Sequence, residues 1–439
     1  MRKSTEKGSV LIGVLILVIV VVMVMGTVAS FITHGIHRTQ ATSARLQALY
    51  LAEAGVEKAI EQLKEDWDNT AGSIGASDEW IDFPSSGDKI GKYKFTIDPQ
   101  DEGSDRRIIE GHGTAGSETV TVEVEISLLP KAMTEGVFAR DKIYLDGSTW
   151  IRGPVNTNST APESVFLDWS TGIDGNVNVG PYGNPNTVIT GNGKVEGQKG
   201  SLSKPYYTPL PDFPGFPTDL PHRGDFTAGW DPSPPYYITD DGEYNKLEVL
   251  STLIINVGSG TRRIRVRELS VLDSGKIILE GEGKLEFYVD EEFTITGSSG
   301  INVDPDNTSK VGDSSQVLLY YKGTNTMEFA GNVRFAGSVC AETANLSIGG
   351  SGKLVGSFAT SGTEVSISGG SWQQGVLYAP NAAVTLSGSG SLGGTIVADE
   401  LTITGGGGKD NPRLTFNPEL VNTFPFSFSD FEIESWKQI

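Results

Sequence analysis

Acidic side chains are the residues of this sequence best suited to chemistry, and Asp304, Asp306 and Asp313 stand together in one polar loop. Clustered carboxylates bind Ca²⁺, which prefers oxygen ligands. The loop lacks the sixth-position glycine and twelfth-position glutamate of an EF-hand, so a turn rich in Asp and Asn is the preferred interpretation and a calcium site the alternative. A second acidic group is interpreted as a solvated face: Glu280, Glu282, Glu286, Asp290, Glu291 and Glu292.

Nucleophiles and metal ligands are otherwise sparse. The single cysteine, Cys340, allows no internal disulfide and is interpreted as a packing residue. The formal charge is -21, from 34 basic and 55 acidic residues, which disfavours nucleic acid as a partner. The histidines are scattered without metal-ligand spacing, at His34, His37, His112 and His222. We therefore expect no catalytic residue, no metal and no cofactor, and we do not expect an enzyme.

An apolar run over residues 10–32 is the first structural element along the chain, and it would determine on which side of a membrane the later residues lie. A helix of that length reaches about 34 Å, enough for a bilayer core of about 30 Å. Arg2, Lys3 and Lys7 precede the run, so the positive-inside bias places the N-terminus in the cytoplasm and the remaining chain outside the cytoplasmic membrane. A cleaved secretory signal would be shorter, whereas an uncleaved signal anchor stays an alternative.

The helical pattern continues past the apolar run, because residues 39–67 contain no proline and one glycine. Apolar residues recur there at helical spacing and predict a single stripe on a long helix over residues 9–67. The predicted stripe consists of Leu46, Leu49, Val56, Ile60, Leu63 and Trp67.

This N-terminal region resembles that of PilX-type minor pilins. The resemblance rests on the short leader ending in Gly8, the apolar segment from Ser9 and the string ALYLAEAGVE at residues 48–57. It implies that residues 1–8 are a leader, that a prepilin peptidase cuts between Gly8 and Ser9, and that the helix packs against other pilin-like subunits of a type IV pilus or a type II secretion pseudopilus.

Two positions of the helix, Ser9 and Gly13, depart from the family pattern. Glu53 lies inside the matching string, whereas Gly13 stands at the fifth mature position, where major pilins carry a glutamate. Ser9 also replaces the usual aromatic residue or methionine. By resemblance, the missing carboxylate at Gly13 suits an accessory or tip subunit better than a bulk filament subunit.

Residues 68–130 change to a period of two, which indicates β-strands. Strands are predicted at 92–98, 106–112 and 119–126. We interpret the region as a small α+β, pilin-like meander packed on the end of the helix.

The C-terminal half contains an internal repeat of about 19 residues. Apolar triplets begin at Met327, Leu346, Val365, Val384 and Leu401. Such short repeats bury their apolar side chains only by stacking, which predicts a single-stranded β-solenoid (β-helix) over residues 131–410 with about 19 residues per coil. Two columns of turn glycines accompany the triplets: Gly331, Gly350, Gly369, Gly388 and Gly405, then Gly337, Gly356, Gly375 and Gly394.

Hydroxyl residues fill two rows that we expect to point outward. One row reads Glu328, Ser347, Ser366, Thr385 and Thr402, and the other reads Ser338, Ser357, Val376 and Thr395. Such rows favour β structure and solubility rather than proton transfer.

Two segments interrupt the repeat. Residues 203–237 are rich in proline and aromatics, which predicts a loop lying over the solenoid or a terminal cover. Residues 411–439 are aromatic and are predicted to cap the last coil.

The predicted protein is a pilin-like accessory subunit, anchored by one membrane helix, with an extracytoplasmic solenoid for assembly or surface contact. The alternative is a membrane-anchored adhesin that binds a surface polysaccharide through the solenoid. A self-stacking structural polymer and a polysaccharide-degrading enzyme are less favoured.

Overall fold

The computed structural model divides the chain into two compact units, Met1–Ser127 with Ile433–Ile439 and Leu128–Glu432. The predicted long N-terminal helix and the predominantly β, solenoid-forming remainder are confirmed. The structure describes residues 6–65, 67, 80–84, 89–99, 106–231, 235–370, 372–429 and 431–439.

Helix α1 spans Glu6–Glu65, so it includes part of the predicted leader as well as the predicted span. Among the described residues, this is the one helix long and apolar enough to cross a membrane. The side chains from Leu11 to Thr42 are exposed, as a lipid-facing segment requires. The described part of the chain thus contains a single candidate membrane anchor.

The C-terminal half of α1 packs on an antiparallel sheet. Its strands are β1 (Ile81–Phe83), β2 (Gly91–Pro99), β3 (Arg106–Ala115) and β4 (Glu118–Ser127). The segments of residues 68–79, 85–88 and 100–105 lie outside the described residues.

The stripe predicted for α1 is wrong in part: Val56 and Leu63 are buried as predicted, but small residues fill much of the face that packs on the sheet. Leu46 is 49% exposed, whereas these helix residues are buried: Ala48, Leu51, Ala52, Gly55, Val56, Ala59 and Leu63. A Cβ on Gly113 would stand 2.0 Å from the Ala48 carbonyl oxygen, and one on Gly111 would stand 2.2 Å from that of Ala52. Helix and sheet backbones therefore touch, which a Leu stripe would prevent.

The second unit contains the solenoid. In chain order its helices are α2 (Lys131–Thr134), α3 (Pro185–Val188) and α4 (Pro418–Val421), with a 3₁₀ turn at Ser314–Gln316. Its strands before the proline-rich segment are β5 (Val137–Leu145), β6 (Trp150–Arg152), β7 (Val155–Thr157), β8 (Val165–Leu167), β9 (Gly172–Ile173), β10 (Val177–Val179), β11 (Ile189–Gly191), β12 (Lys194–Val195) and β13 (Lys199–Ser201).

After that segment the strands are β14 (His222–Ala228), β15 (Tyr236–Ile238), β16 (Gly242–Val249), β17 (Thr252–Gly258), β18 (Thr261–Val271), β19 (Lys276–Gly281), β20 (Lys284–Gly297), β21 (Gly300–Ile301), β22 (Val317–Tyr321), β23 (Met327–Gly331), β24 (Arg334–Ala336), β25 (Ser338–Ala341), β26 (Leu346–Ile348), β27 (Lys353–Val355), β28 (Phe358–Thr360), β29 (Glu364–Ile367), β30 (Trp372–Leu386), β31 (Ser391–Ile403) and β32 (Leu414–Phe416). The strand β33 (Glu432–Gln438) ends the chain.

The coils are longer on average than the repeat predicts, with about 12 turns of about 22 residues. The 19-residue spacing holds where the repeat was read, since Leu346 pairs with Val365 and Val365 pairs with Val384. Earlier coils are wider, as the pairing of Val155 with Val177 shows. Irregular turns in these coils hide the period from the sequence.

The order of the coils along the stack differs from their order along the chain. The last repeat strand, β31, pairs in parallel with β5, the first strand of the solenoid, through Leu401 and Ile143. The stack therefore runs from β14 through β31 and continues into β5 through β13. Strand β14 also lies inside the segment predicted as an insertion, so residues 222–228 belong to a coil.

The prediction that residues 411–439 cap the last repeat coil is wrong for most of that segment. Strand β32 does pair with β31, through Leu414 and Leu392, but β32 and β5 together cover that coil and the stack continues beyond them, so no open edge is left there. Strand β33 instead joins the sheet of the first unit beside β4. There the backbone N–H of Ile439 donates to the carbonyl of Thr121 at 3.1 Å. The solenoid is thus an insertion between the fourth and fifth strands of that sheet.

Candidate functional site on the solenoid surface

The solenoid core fixes which side chains face outward, because successive strand residues alternate between faces. The inward columns are apolar and fully buried, as Val365, Ile367 and Leu377 illustrate. Each outward residue stacks on its equivalent one coil away, at a spacing of about 4.8 Å. Surface chemistry on this fold is consequently organised in columns.

The predicted turn glycines occupy the corners of the coils, either between strands or, as for Gly375 and Gly394, at a bend within a long strand. All except Gly337 have a positive φ, for example 86° at Gly350 and 143° at Gly375. The two columns also stack closely, since a Cβ on Gly375 would stand 2.0 Å from the carbonyl oxygen of Gly356. Side chains are excluded at these corners, so the lateral faces stay narrow and regular.

One lateral face, here called the hydroxyl face, is defined by a single outward column of paired strand residues. In stack order this column reads Thr227, Glu248, Ser270, Thr294, Glu328, Ser347, Ser366, Thr385, Thr402, Tyr144, Phe166 and Thr190. All of these side chains are exposed or half-buried. The first predicted hydroxyl row therefore faces outward.

More hydroxyls flank the middle of this column. Ser368, Ser387 and Thr404 follow two residues after their partners in the column and lie on the same side of the strand. Ser366 and Ser347 are hydrogen-bond partners across coils, with 3.4 Å between their Oγ atoms. The result is a flat, two-column array of hydroxyl groups.

An aromatic pair continues the same column. The rings of Tyr144 and Phe166 stack with 5.4 Å between centroids and 9° between planes. Trp169, three residues after Phe166, is 70% exposed. Two acidic residues, Asp146 and Asp168, stand two positions after the aromatic pair, half-buried. This end of the hydroxyl face combines apolar rings with hydrogen-bond acceptors.

A second lateral face, here called the covered face, is buried although its side chains point away from the core. Its outward column includes Tyr288, Tyr320, Cys340, Ala359, Tyr378, Val397 and Phe138. The second predicted hydroxyl row, Ser338, Ser357, Val376 and Thr395, lies beside it and is also buried. The prediction of an exposed second row is therefore wrong, because α2, α4 and two further segments cover this side of the solenoid.

The first covering segment is the strap, residues 204–217. Its Tyr206 packs on Phe138 at 5.9 Å, and its Phe216 packs on Tyr288 at 5.2 Å. Between them the Tyr378 hydroxyl donates to the carbonyl of Pro209 at 2.6 Å. Prolines lack the N–H that a strand would have to pair, which suits a segment lying across the coils. The strap carries the chain from β13 back to β14.

The second covering segment is the aromatic tail, residues 424–428. Phe424 and Phe428 contact Tyr378 at 5.8 and 5.4 Å, and Phe426 contacts Tyr320 at 6.0 Å. The sequence contains a signal for this cover, because the outward position between the inward residues Val339 and Ala341 is apolar. The same holds one, two and three coils later, at Ala359, Tyr378 and Val397. A solvated ladder would carry polar residues there.

Cys340 is a packing residue in this cluster, with 2% of its surface exposed. Burial raises the pKa of the Cys340 thiol to about 12, and Glu342 adds to the shift. A thiolate is the nucleophilic form, so the thiol is inert at neutral pH. A cavity of about 150 Å³ adjoins it, lined by Leu210, Pro211, Phe213, Ala341, Glu342 and Ser361.

The acidic loop forms turns. The carboxylate of Asp304 accepts the backbone N–H groups of Asp306 and Asn307 at 2.9 and 3.0 Å, and that of Asp313 accepts Ser315 N–H at 2.9 Å. Across the described ranges, no three His, Cys, Asp or Glu residues are grouped so as to hold a metal ion. The described side chains offer calcium no ready-made cage.

The third face carries basic residues in its outward column, at Lys276, Arg334 and Lys353. The acidic loop lies against it, since Arg334 Nε donates to the carbonyl of Ser309 at 3.1 Å. This face is therefore partly occupied by the chain itself.

The residues of the predicted processing region all lie on α1. Gly8 and Ser9 are helical, Gly13 has open space around it, and Glu53 is half-buried in the part of the helix that packs on the sheet.

Two family models match parts of this chain. One, "Domain of unknown function (DUF7305)", matches residues 233–367, and another, "Putative Ice-binding-like adhesive domain", matches residues 358–410. Each covers less than half of the chain. No curated protein matches it.

A solved structure to which the chain is similar is the competence-associated pilin ComZ from Thermus thermophilus. The identity is 12% over 90% of this chain and 98% of that chain, with a TM-score of 0.21. A TM-score of this size does not establish a shared fold.

Proposed function

We propose that this protein is a membrane-anchored, pilin-like accessory subunit that presents its β-solenoid outside the cytoplasmic membrane for assembly or surface contact. The observation that carries the proposal is α1, a continuous 60-residue helix. Its N-terminal half is apolar and exposed, and its C-terminal half packs on a small sheet. One rod that enters a bilayer and supports a folded body is the arrangement that a pilin-like subunit needs.

The leader supports the pilin-like part of the proposal. Gly8 separates a short charged leader from the apolar run that begins at Ser9, as in the resemblance to PilX-type minor pilins. Gly13 provides no carboxylate for the terminal amine of a neighbouring subunit. We therefore assign the protein an accessory rather than a bulk role in a type IV pilus or pseudopilus.

The experiment is mass spectrometry of the mature N-terminus, in cells with and without a prepilin peptidase. The proposal expects a chain beginning at Ser9, with or without methylation, only when the peptidase is present. An intact Met1 in cells with an active peptidase contradicts pilin-like processing and leaves an uncleaved anchor.

A second candidate function is a membrane-anchored adhesin. The match of residues 358–410 to an adhesive domain model favours it. The two candidates share the anchored solenoid and differ in whether the helix enters a filament. Retention of the chain in a sheared filament fraction would favour the accessory subunit, whereas retention in the membrane fraction alone would favour the adhesin. We propose no catalysis, because the outward columns present hydroxyls rather than a convergent acid and base.

A further inference from the structure

We propose that the hydroxyl face is the contact surface of the solenoid and that it binds a neutral polysaccharide. This inference rests on the proposed function, because it names the ligand of the exposed solenoid.

The first argument is which face is free. The covered face is buried by the strap and the aromatic tail, and the third face carries the acidic loop. Along the hydroxyl face, by contrast, the column residues are exposed or half-buried from Thr227 to Thr190. A ligand can therefore lie flat across many coils on this face.

The second argument is chemical. The middle of the face offers hydroxyls at Ser347, Ser366, Thr385 and Thr402, each of which both donates and accepts hydrogen bonds. Sugar hydroxyls have the same dual character, so a regular array of both can pair repeatedly. The middle of the face, unlike its aromatic end, lacks the large apolar anchors on which protein partners usually depend.

The third argument is charge. The column two residues earlier carries more acidic than basic side chains, with Asp225, Glu268, Glu292, Glu364 and Glu400 against Lys246 and Lys142. Together with the net charge of -21, it repels anionic polymers and nucleic acid. A neutral chain meets no such penalty.

The fourth argument is the aromatic end. The stacked rings of Tyr144 and Phe166 lie in the same column as the hydroxyls, and Trp169, three residues after Phe166, is exposed. Rings supply apolar contact for the C–H surfaces of sugars, and the carboxylates of Asp146 and Asp168, two residues after the rings, can accept hydrogen bonds from sugar hydroxyls. The face thus combines the two kinds of contact that a saccharide chain offers.

The test is depletion of the purified full chain, in detergent, from solution by insoluble cellulose or chitin. The variant Ser366→Arg with Thr385→Arg places two long side chains on the flat array. A second variant, Tyr144→Ala with Phe166→Ala, removes the rings. Ser391→Arg, at an outward position of the third face in the same region of the stack, is the matched control. Circular dichroism is used to check that each variant keeps its β structure.

The proposal predicts that the parent chain and the control bind cellulose or chitin and that both face variants bind at least tenfold more weakly. It is overturned if the parent chain binds neither polymer, if a folded face variant binds as well as the control, or if only an anionic gel such as alginate or only ice retains the chain. The assay uses purified protein, so its outcome does not depend on whether the chain is processed at Gly8. Failure of this proposal can therefore be told apart from failure of the proposed function.

Discussion

Replacing Gly394 by alanine should destabilise the solenoid far more than the same replacement at the adjacent Gly393. Both glycines lie in β31. Gly394 has φ 141°, and a Cβ there would stand 1.8 Å from the carbonyl oxygen of Gly375 in the neighbouring coil. Gly393 has no positive φ and no heavy atom within 4 Å of its Cβ position. Because the same Gly→Ala change is made at both positions, the difference between the two variants reports the effect of the close coil stacking at Gly394.

The magnitude follows from two costs. An alanine held at positive φ is strained by roughly 1–3 kcal/mol. The clash is with backbone, so the coils must separate and weaken ladder hydrogen bonds worth about 1 kcal/mol each. We expect Gly394→Ala to lower the free energy of unfolding by about 3–5 kcal/mol, and Gly393→Ala to change it by less than about 0.5 kcal/mol.

Chemical denaturation of the full chain in detergent, followed by circular dichroism, measures the difference. Hydrogen exchange of peptides from residues 376–403 locates it, because a stack of coils can unfold in parts. Equal shifts for the two variants, or a stable Gly394→Ala protein with unchanged exchange, would refute the close stacking of the coils.

Three further predictions concern the core and the C-terminal strand. Ile367→Ala should cost about 2–5 kcal/mol, whereas outward Ser366→Ala should stay within about 0.5 kcal/mol, and equal losses in denaturation would contradict the alternation. The buried side chain of Gln373 finds no hydrogen-bond partner among the described residues, so Gln373→Leu should raise stability by about 1–3 kcal/mol, and a lower unfolding midpoint would show that the amide is satisfied. Deleting residues 433–439 should speed amide exchange in β4 without affecting the solenoid repeat, and unchanged exchange in β4 would exclude β33 as its neighbour.

The regular part of the solenoid was predictable because its strands and turns are determined by residues close together in the sequence. Residue alternation fixed the inward columns at Val365 and Ile367, and the glycine phase fixed the corners. The long helix was predictable for the same reason, since an uninterrupted apolar run and its continuation depend only on nearby residues.

The order of the coils was not predictable, because parallel pairing of β31 with β5 joins residues more than 250 positions apart. No local period records such a contact. The buried face was missed because Ser338 and Ser357 look like surface residues. Their burial depends on a strap and a tail that are distant in sequence. The helix–sheet contact was misjudged because the small side chains of Ala48 and Ala52 let the helix backbone approach the sheet closely, whereas the prediction looked for large apolar side chains.

The most direct test of the account is where the hydroxyl face lies in the cell. The one native cysteine, Cys340, is buried with a raised pKa, so a single introduced cysteine reports its own position. Thr385→Cys should react with a membrane-impermeant maleimide in intact cells stripped of any outer membrane, whereas Ser4→Cys, tested in cells without a prepilin peptidase so that the leader is retained, should react only after lysis. Labelling of Thr385→Cys only after lysis, or of Ser4→Cys in intact cells, would contradict an anchored protein that presents its solenoid outside the cytoplasmic membrane.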